Sequence, residues 1–261
     1  MKVLVKLGGT LLDAPESRAR LAAELAAVAG PGVELVVVHG GGKQMTRYLA
    51  ERGIESRFVK GLRVTTPETI DAVLKVFAGS VNHELVSALV AAGVRAVGLT
   101  GIDACLAEAE PLDPALGAVG RVVRSNPELL DLLTSRGYVP VVACVAGDRK
   151  GHIYNVNADQ MAVACAAGFG AGLLLFLTDV GGVMGADHQV LPEMTVADCH
   201  ALIAQGIATG GMEAKLNAAV DALGRGVGQV LIAPGAEPGI LRRALAGEAA
   251  GTRLIQGVGH V

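Results

Sequence analysis

Aromatic residues are scarce in this 261-residue chain: tryptophan is absent, and phenylalanine and tyrosine together supply only 3 % of the positions. Hydrophobic residues nevertheless reach 51 %. The core must therefore be built from valine, leucine, isoleucine and alanine. That composition favours a buried parallel β-sheet covered by helices on both faces.

Long runs of one kind of residue are also lacking. The net charge is −3 and no run of five or more basic residues occurs, so nucleic-acid binding has no electrostatic support. No apolar run reaches the roughly 18 residues that a membrane span needs. The first residues, with Lys6 inside the first apolar run and Asp13 soon after it, do not read as a signal peptide. We therefore expect a cytoplasmic protein without nucleic-acid or membrane partners.

Cysteine is used sparingly. Cys105, Cys144, Cys165 and Cys199 are widely scattered, they form no Cys-x-x-Cys pair, and no histidine stands at zinc-finger spacing from them. We expect four small buried residues in a reducing compartment. The sequence predicts no metal site made by the protein alone.

Two common nucleotide-binding signatures are missing. Gly42-Lys43 is followed by Gln44, so the P-loop pattern Gly-x-x-x-x-Gly-Lys-Ser/Thr is not formed. Gly40 and Gly42 fit the start of the dinucleotide pattern Gly-x-Gly-x-x-Gly, but its third glycine position is Met45. A P-loop NTPase and a nicotinamide-dependent oxidoreductase are therefore both disfavoured.

Short β-branched runs alternate along the chain with segments of helical periodicity. Strands are predicted over residues 3–7, 33–38, 96–99, 139–145, 173–178 and 229–233. Helices are predicted over residues 18–28, 43–52, 67–76, 82–92, 127–136, 158–167, 196–205, 213–224 and 239–246. A β-hairpin lid or flap is predicted within residues 104–125. The alternation predicts an α/β fold with right-handed βαβ units and a mostly parallel sheet.

Glycine, by contrast, is abundant, with 36 residues that cluster after the apolar runs. Ligands of parallel α/β sheets bind at the carboxyl ends of the strands, and here those ends carry the glycines of 8–9, 40–42 and 181–182. Lys6 and Lys215 also stand in glycine-containing segments. Backbone amides at glycines, together with flexible cations, are what phosphoryl transfer needs.

Six motifs occur in order over almost the whole chain, and together they resemble the amino acid kinase family. The motifs are Lys6-Leu7-Gly8-Gly9, Val38-His39-Gly40-Gly41-Gly42, Gly61-Leu62-Arg63-Val64-Thr65, Asn155-Val156-Asn157-Ala158-Asp159-Gln160, Leu177-Thr178-Asp179-Val180-Gly181-Gly182-Val183 and Gly211-Met212-x-x-Lys215. Lys-x-Gly-Gly alone is shared by several branches of that family. The motifs at 61–65 and 155–159 together resemble the members that phosphorylate N-acetyl-L-glutamate.

The resemblance implies a single domain over residues 1–261 with the amino acid kinase fold, a three-layer αβα sandwich. An N-terminal lobe of about 1–170 would bind the acylated amino acid and form dimer contacts. A C-terminal lobe of about 171–261 would bind ATP, with Mg²⁺ held mainly by the nucleotide phosphates. The implied reaction is phosphorylation of the side-chain carboxylate of N-acetyl-L-glutamate, the second step of arginine biosynthesis.

The resemblance also implies roles for individual residues. Lys6 and Lys215 would stabilise the transferring phosphoryl group, and Asp159 would hold both lysines in place. The residues implied to hold the acetylated amino acid are Gly41, Gly42, Arg63 and Asn155. The residues implied to bind the nucleotide are Gly8, Gly9, Asp179, Val180, Gly181, Gly182, Val183, Met184, Ile207, Ala208 and Thr209.

Each motif also has a purely structural interpretation. Lys6 alone could be a strand-end lysine that reaches solvent, and Arg63 a surface-loop residue. Asn157 is expected to be a helix N-cap, and Asp159 could simply favour the helix dipole. His39 is expected to donate a hydrogen bond within its loop rather than to act in catalysis. The joint occurrence of the motifs in the family's order favours the functional interpretation.

Three other functions stay open. One is a kinase for a related substrate, such as carrier-protein-bound aminoadipate or glutamate, or N-succinylglutamate; a net charge of −3 gives no support for docking an acidic carrier. Another is a non-catalytic nucleotide-binding or storage module, against which the joint presence of Lys6, Asp159 and Lys215 argues. The third is the oxidoreductase disfavoured above.

The resemblance implies an oligomeric state as well. Arginine-sensitive members of the family are hexamers that an extra N-terminal helix links together, whereas the first strand here is predicted to begin at about Lys2. We therefore expect a homodimer that arginine does not inhibit. The predicted helices at 67–76 and 82–92 are rich in apolar residues, so one face could cover the sheet and the other could pair across a two-fold axis.

Overall fold

A central eight-stranded sheet organises the computed structural model, which describes residues 1–257. Residues 258–261, the end of the predicted C-terminal lobe, lie outside the described residues. The strands are β1 (Lys2–Leu7), β2 (Glu34–His39), β3 (Phe58–Val59), β4 (Leu62–Arg63), β5 (Ala96–Thr100), β6 (Ala107–Pro111), β7 (Val119–Ser125), β8 (Val139–Ala143), β9 (Val145–Gly147), β10 (Ile153–Val156), β11 (Leu173–Thr178), β12 (Glu193–Thr195), β13 (Gln229–Pro234) and β14 (Thr252–Ile255).

The order of strands in the sheet is β12-β14-β13-β11-β1-β2-β8-β5. Six of them are parallel to one another, whereas β14 runs antiparallel to β13 and β12 runs parallel to β14. β1 lies in the middle, and its Val3, Leu4 and Val5 are buried together with the valine run of β2 and the leucine run of β11. Runs that are buried on both faces account for the continuous hydrophobic stretches in the sequence.

Helices cover the sheet in two layers. They are α1 (Pro15–Ala26), α2 (Gly42–Ala50), α3 (Pro67–Val73), α4 (Asn82–Ala91), α5 (Glu128–Ser135), α6 (Ala158–Phe169), α7 (Val196–Ala204), α8 (Gly210–Gly224) and α9 (Ile240–Ala246). α1 lies against α4 and α9, whereas α6 lies against α8 and packs on β1, β2 and β11. The predicted α/β fold with a mostly parallel sheet is confirmed. The division into lobes near residue 170 stays a prediction.

The six predicted strands are present with ends shifted by at most a residue, except that the strand predicted over 139–145 is interrupted at Cys144. The predicted hairpin is confirmed as β6 and β7, which pair antiparallel. It joins β9 and β10 in a small closed barrel. The strands β3, β4, β10, β12 and β14 were not predicted, because runs of two to four residues carry too little periodicity to be recognised.

The two helices predicted at 67–76 and 82–92 form one continuous helical stretch. A π-helical segment, Leu74–Val81, joins α3 to α4 without a break. The combined helix meets the length and hydropathy of a membrane span. Packing accounts for its apolar residues, because Val76, Phe77, Leu85 and Leu89 lie in the hydrophobic core. π-Helical turns are rare and occur frequently at functional sites.

Three of the four cysteines are buried as predicted. Burial raises the pKa of the Cys144 and Cys165 thiols to about 12 and that of Cys199 to about 11, so all three are protonated at neutral pH. The prediction is wrong for Cys105, which is exposed. Cys105 lies in the surface turn between β5 and β6, where it and Ala104 both have positive φ.

Candidate active site

Lys6, Asp159 and Lys215 form one charged cluster, although they lie far apart in the sequence. The Nζ of Lys6 is 2.6 Å from Oδ1 of Asp159, and the Nζ of Lys215 is 3.7 Å from Oδ2. The three residues come from β1, α6 and α8, which meet because α6 packs on both β1 and α8. Two ammonium groups and one carboxylate leave one net positive charge, which suits an anionic ligand.

The start of α6 holds Asp159 in place. Asn157 is the N-cap, as expected, and its side-chain oxygen accepts hydrogen bonds from the backbone N–H groups of Asp159 (2.9 Å) and Gln160 (3.2 Å). Burial alone would raise the pKa of the Asp159 carboxyl, but the Lys6 and Lys215 ammonium groups lower it below its ordinary value. Asp159 is therefore ionised at neutral pH, and it does more than complement the helix dipole.

Two glycine loops meet beside this cluster. β1 and β2 are paired in register with Leu7 opposite His39, so the loops that follow them start at the same level. A Cβ atom at Gly9 would lie only 3.3 Å from the amide nitrogen of Gly42, and one at Gly41 only 2.9 Å from the Phe77 ring. The close approach disfavours any side chain at both positions. The amino end of α2, at Gly42, adds free backbone N–H groups of the kind that bind phosphates and carboxylates.

Arg63 is a buried, oriented cation rather than a loose surface residue. It is 8 % exposed. Its Nη1 donates to Oγ of Ser56, while Nη2 donates to Oγ1 of Thr46 (2.8 Å) and to the carbonyl oxygen of Gly42 (3.2 Å). The ring of Phe58 lies 4.6 Å from the guanidinium carbon. These contacts tie the β3–β4 hairpin to the start of α2.

A cavity of about 650 Å³ opens beside Arg63. It is lined by Gly9, Thr10, Asp13, Gly42, Lys43, Thr46, Arg47, Ala50, Phe58 and Arg63. Asp13 is paired with Arg47 at 2.5 Å, which leaves the charges of Lys43 and Arg63 without a carboxylate among the lining residues. The cavity is therefore suited to a small anion. Two of the predicted substrate-binding residues, Gly42 and Arg63, line it directly.

Asn155 is joined to Arg63 through Thr65, which was not among the predicted site residues. The Nδ2 of Asn155 donates to Oγ1 of Thr65 (3.1 Å), and that hydroxyl donates to the carbonyl oxygen of Arg63 (2.9 Å). Thr65 is 1 % exposed and exchanges backbone hydrogen bonds with the loop between β6 and β7, at Leu116 and Ala118. Thr65 is the last residue of the motif 61–65, and this position was the one feature of the sequence that could have identified it as a site residue.

Most of the residues predicted to bind the nucleotide lie on the other half of the sheet, but Gly8 and Gly9 follow β1, and Gly9 lines the cavity beside Arg63. Residues 179–184 follow β11, and the backbone N–H of Val183 donates to Oγ1 of Thr252 on β14 (2.8 Å). Val183 is fully buried, and its carbonyl oxygen accepts from the backbone N–H of Leu191 (2.9 Å), so its backbone groups hold the loop together. Residues 207–209 connect α7 to α8, with Thr209 as the N-cap residue of α8. In the described part of the chain, no group of three or more His, Cys, Asp or Glu side chains is arranged to hold a metal ion.

His39 is buried and hydrogen-bonds within its own loop, as expected. Its Nδ1 lies 2.8 Å from the carbonyl oxygen of Gly40, and its Nε2 lies 2.9 Å from the side-chain nitrogen of Asn82. Asn82 also donates to the carbonyl oxygen of Val141 at 2.9 Å. Because the Asn82 amide is the donor to Nε2, the ring proton is on Nδ1 and is donated to Gly40. Burial lowers the pKa of His39 to about 4.

The free energy of unfolding should therefore decrease as the pH is lowered from 6.5 towards 4. The folded pKa of His39 is below the ordinary 6.5, so its contribution is complete above pH 6.5 and is lost as the pH falls towards 4. Linkage puts the loss at about 3 kcal/mol. Urea unfolding at pH 7 and pH 4.5 measures it, and His39→Gln, which does not titrate, should show a clearly smaller difference. An equal difference in both proteins would contradict the assignment to His39.

The chain is similar in sequence and in structure to known proteins. Residues 1–234 match the model of the amino acid kinase family. The chain is 69 % identical to an acetylglutamate kinase from Solibacter usitatus, over 98 % of this chain and 99 % of that one. It is 44 % identical to an acetylglutamate kinase from Acidobacterium capsulatum, over 90 % and 91 % of the two chains. A crystal structure of a Streptococcus mutans protein superposes with a TM-score of 0.84 at 26 % identity, covering 98 % of this chain and 99 % of that one.

Proposed function

The chain belongs to the amino acid kinase family, and from that premise we propose that it phosphorylates the side-chain carboxylate of N-acetyl-L-glutamate with ATP, as a step of arginine biosynthesis. The observation that carries this proposal is the cluster of Lys6, Asp159 and Lys215 beside the paired glycine loops. Near-complete coverage of an acetylglutamate kinase at 69 % identity supports the choice of substrate.

The chemistry explains the kinds of residue in the cluster. The acceptor carboxylate is already ionised at neutral pH, so no general base is needed. The obstacle is charge, because an anion must approach a triphosphate. Lys6 and Lys215 supply positive charge where the phosphoryl group is transferred, and the backbone N–H groups of Gly9 and Gly41 supply donors. The predicted contribution of Gly8 is wrong in this respect, because its N–H is already donated to the carbonyl oxygen of Leu177 (3.0 Å). Asp159 limits the net charge of the cluster and fixes the positions of both ammonium groups.

The cavity beside Arg63 is the proposed site for the acylated amino acid. The planar guanidinium suits the α-carboxylate of the substrate, and its orientation by Thr46, Ser56 and Phe58 limits the entropy lost on binding. Asn155, together with the glycine backbone at 41–42, would hold the rest of the molecule. The side-chain carboxylate would then lie towards Lys6.

ATP is proposed to lie across the carboxyl end of β11, between residues 179–184 and 207–209, with its phosphates directed towards Lys215. The donor set fits a triphosphate, because the cluster contains Lys6 and Lys215, whereas no group of three or more His, Cys, Asp or Glu side chains in residues 1–257 is arranged to hold a free metal ion. A divalent ion such as Mg²⁺ would be held mainly by the phosphates and would neutralise part of their charge.

One assay tests the proposal directly. With MgATP and hydroxylamine, the acyl phosphate product is trapped as a hydroxamate, which is measured by its colour with iron. We expect hydroxamate from N-acetyl-L-glutamate and far less from free glutamate or aspartate. N-succinylglutamate and N-acetyl-aminoadipate test the acyl group and the chain length. Equal turnover of free aspartate would overturn the proposed substrate.

Arg63→Ala should mainly raise KM for N-acetyl-L-glutamate. A lost charged hydrogen bond costs about 1.5–3 kcal/mol, which corresponds to a KM increase of roughly 10- to 100-fold. KM for ATP should change little, because Arg63 lies in the other half of the site. Initial rates at varied concentrations of each substrate separate the two effects. Arg243→Ala, on α9, is the matched control; an unchanged KM for N-acetyl-L-glutamate in Arg63→Ala would place the substrate elsewhere.

A homodimer is the proposed assembly. β5 is at one edge of the sheet, and within residues 1–257 it pairs with β8 alone. α4 packs on β5 and exposes Val90 at 56 %. An unpaired strand edge beside an exposed valine on the neighbouring helix suits a self-complementary contact across a two-fold axis. Light scattering should give twice the monomer mass, and a monomer or a hexamer would contradict the proposal.

A further inference from the structure

A chain of hydrogen bonds runs from α4 through the buried ring of His39 to the glycine loop. Asn82, the first residue of α4, donates one amide hydrogen to Val141 and the other to His39. His39 and Asn82 are 0 % and 2 % exposed. Both hydrogens of the Asn82 amide are therefore used, and the histidine is held in one tautomer. The donor that results, Nδ1–H, binds the carbonyl oxygen of Gly40 at 2.8 Å.

The orientation of one peptide group follows from that bond. No peptide bond in the described chain is cis, so the Gly40 carbonyl and the Gly41 N–H point in opposite directions across the same plane. The carbonyl points inwards, to the fully buried His39. The N–H of Gly41 must then point away from His39.

The π-helical segment, Leu74–Val81, packs against the glycine loop at Gly41. Phe77 and Val81, both in that segment, lie so close to Gly41 that a Cβ there would be 2.9 Å and 3.2 Å from their side chains. Asn82 follows the segment directly. On the far side, a Cβ at Gly98 of β5 would overlap the Asn82 side-chain oxygen. The π-helical segment and the first residue of α4 thus contribute two packing contacts to Gly41 and one hydrogen bond to His39, the residues on either side of Gly40.

We infer that Asn82 and His39 are positioning residues for phosphoryl transfer: Asn82 orients His39, and His39 fixes the Gly40–Gly41 peptide so that the Gly41 N–H faces the transferring group. This inference rests on the proposed function. It assigns a role to a residue of α4 that lies behind the glycine loop and does not line the cavity beside Arg63.

Substitution of His39 separates positioning from packing. An asparagine side chain can place an N–H near the position of Nδ1, whereas a glutamine places its amide near Nε2. We therefore expect His39→Asn to keep much of kcat and His39→Gln to lose roughly 10- to 100-fold, with KM for both substrates within about threefold of the wild type. A purely structural role would give kcat values that follow the melting temperatures of the two variants. That pattern would overturn the inference.

Asn82→Ala tests the first link of the chain. Its kcat should fall by roughly 10-fold or more with little change in KM, and the ¹⁵N shifts of the His39 ring should no longer report a proton fixed on Nδ1. Thr134→Val is the matched control, because Thr134 is 6 % exposed and hydrogen-bonds Leu130 and Glu34 away from the site. An unchanged ring tautomer or an unchanged kcat in Asn82→Ala would refute the inference. A wild-type protein that forms no hydroxamate would instead refute the proposed function, because the ring tautomer is read without activity.

Discussion

Replacing either lysine of the charged cluster with alanine is expected to lower kcat by roughly 10²–10³-fold. Each lysine supplies a positioned charge at the place where negative charge is transferred, and the loss of one such group typically costs that much. KM for both substrates should change far less, because the charge matters most in the transition state. Steady-state rates of hydroxamate formation, with both substrates varied, measure the two constants separately.

The two lysine variants should differ in stability. The Lys6 side chain is 9 % exposed and lies 2.6 Å from Asp159, whereas that of Lys215 is 20 % exposed and lies 3.7 Å away. Lys6→Ala should therefore lower the melting temperature more than Lys215→Ala does. Lys75→Ala, which removes an exposed lysine paired with Asp71, is the control for loss of charge alone. A Lys215→Ala protein with near wild-type kcat would remove Lys215 from the catalytic cluster.

Much of the fold could be predicted from the sequence because each long strand is a continuous apolar run. β1, β2 and β11 are β-branched or leucine runs that glycine or an acidic residue ends, and such runs are readable one at a time. Their alternation with helices then requires a mostly parallel sheet. The carboxyl ends of neighbouring parallel strands lie at the same edge of the sheet, so the glycine loops after β1 and β2 could be assigned to one site from the sequence alone.

What could not be predicted depends on contacts between distant residues. Lys6 could be assigned to the end of a predicted strand, and Asp159 to a sequence motif. Only the packing of α6 on β1 and α8 brings the Nζ of Lys6 to 2.6 Å from Oδ1 of Asp159. Thr65 and Asn82 are ordinary polar residues in sequence, and their importance comes from the groups they meet. The π-helical segment has no sequence signature of its own, because its apolar spacing is compatible with two separate helices.

The environment of Asp159 combines two demands. A buried carboxylate is unfavourable unless it is paired, and here two ammonium groups pair with it. The same pairing keeps the ammonium groups, which would otherwise repel each other, in the geometry that the reaction needs. Asparagine has almost the same shape as aspartate but carries no charge, so Asp159→Asn separates the electrostatic role from the steric one.

Asp159→Asn is therefore expected to lower kcat by at least 10²-fold in a protein that remains folded. The backbone N–H of residue 159 still donates to Asn157, so α6 keeps its cap. Without the carboxylate, Lys6 and Lys215 repel each other, and the buried ammonium group of Lys6 loses its partner, which lowers the melting temperature somewhat. Circular dichroism and thermal melting report the fold, and the hydroxamate assay reports kcat.

Asp198→Asn, in the first turn of the distant α7, is the control for removing an acidic residue near a helix start. A large fall in melting temperature with an intact kcat would mean that Asp159 serves only the helix, and that the lysines find their positions without it.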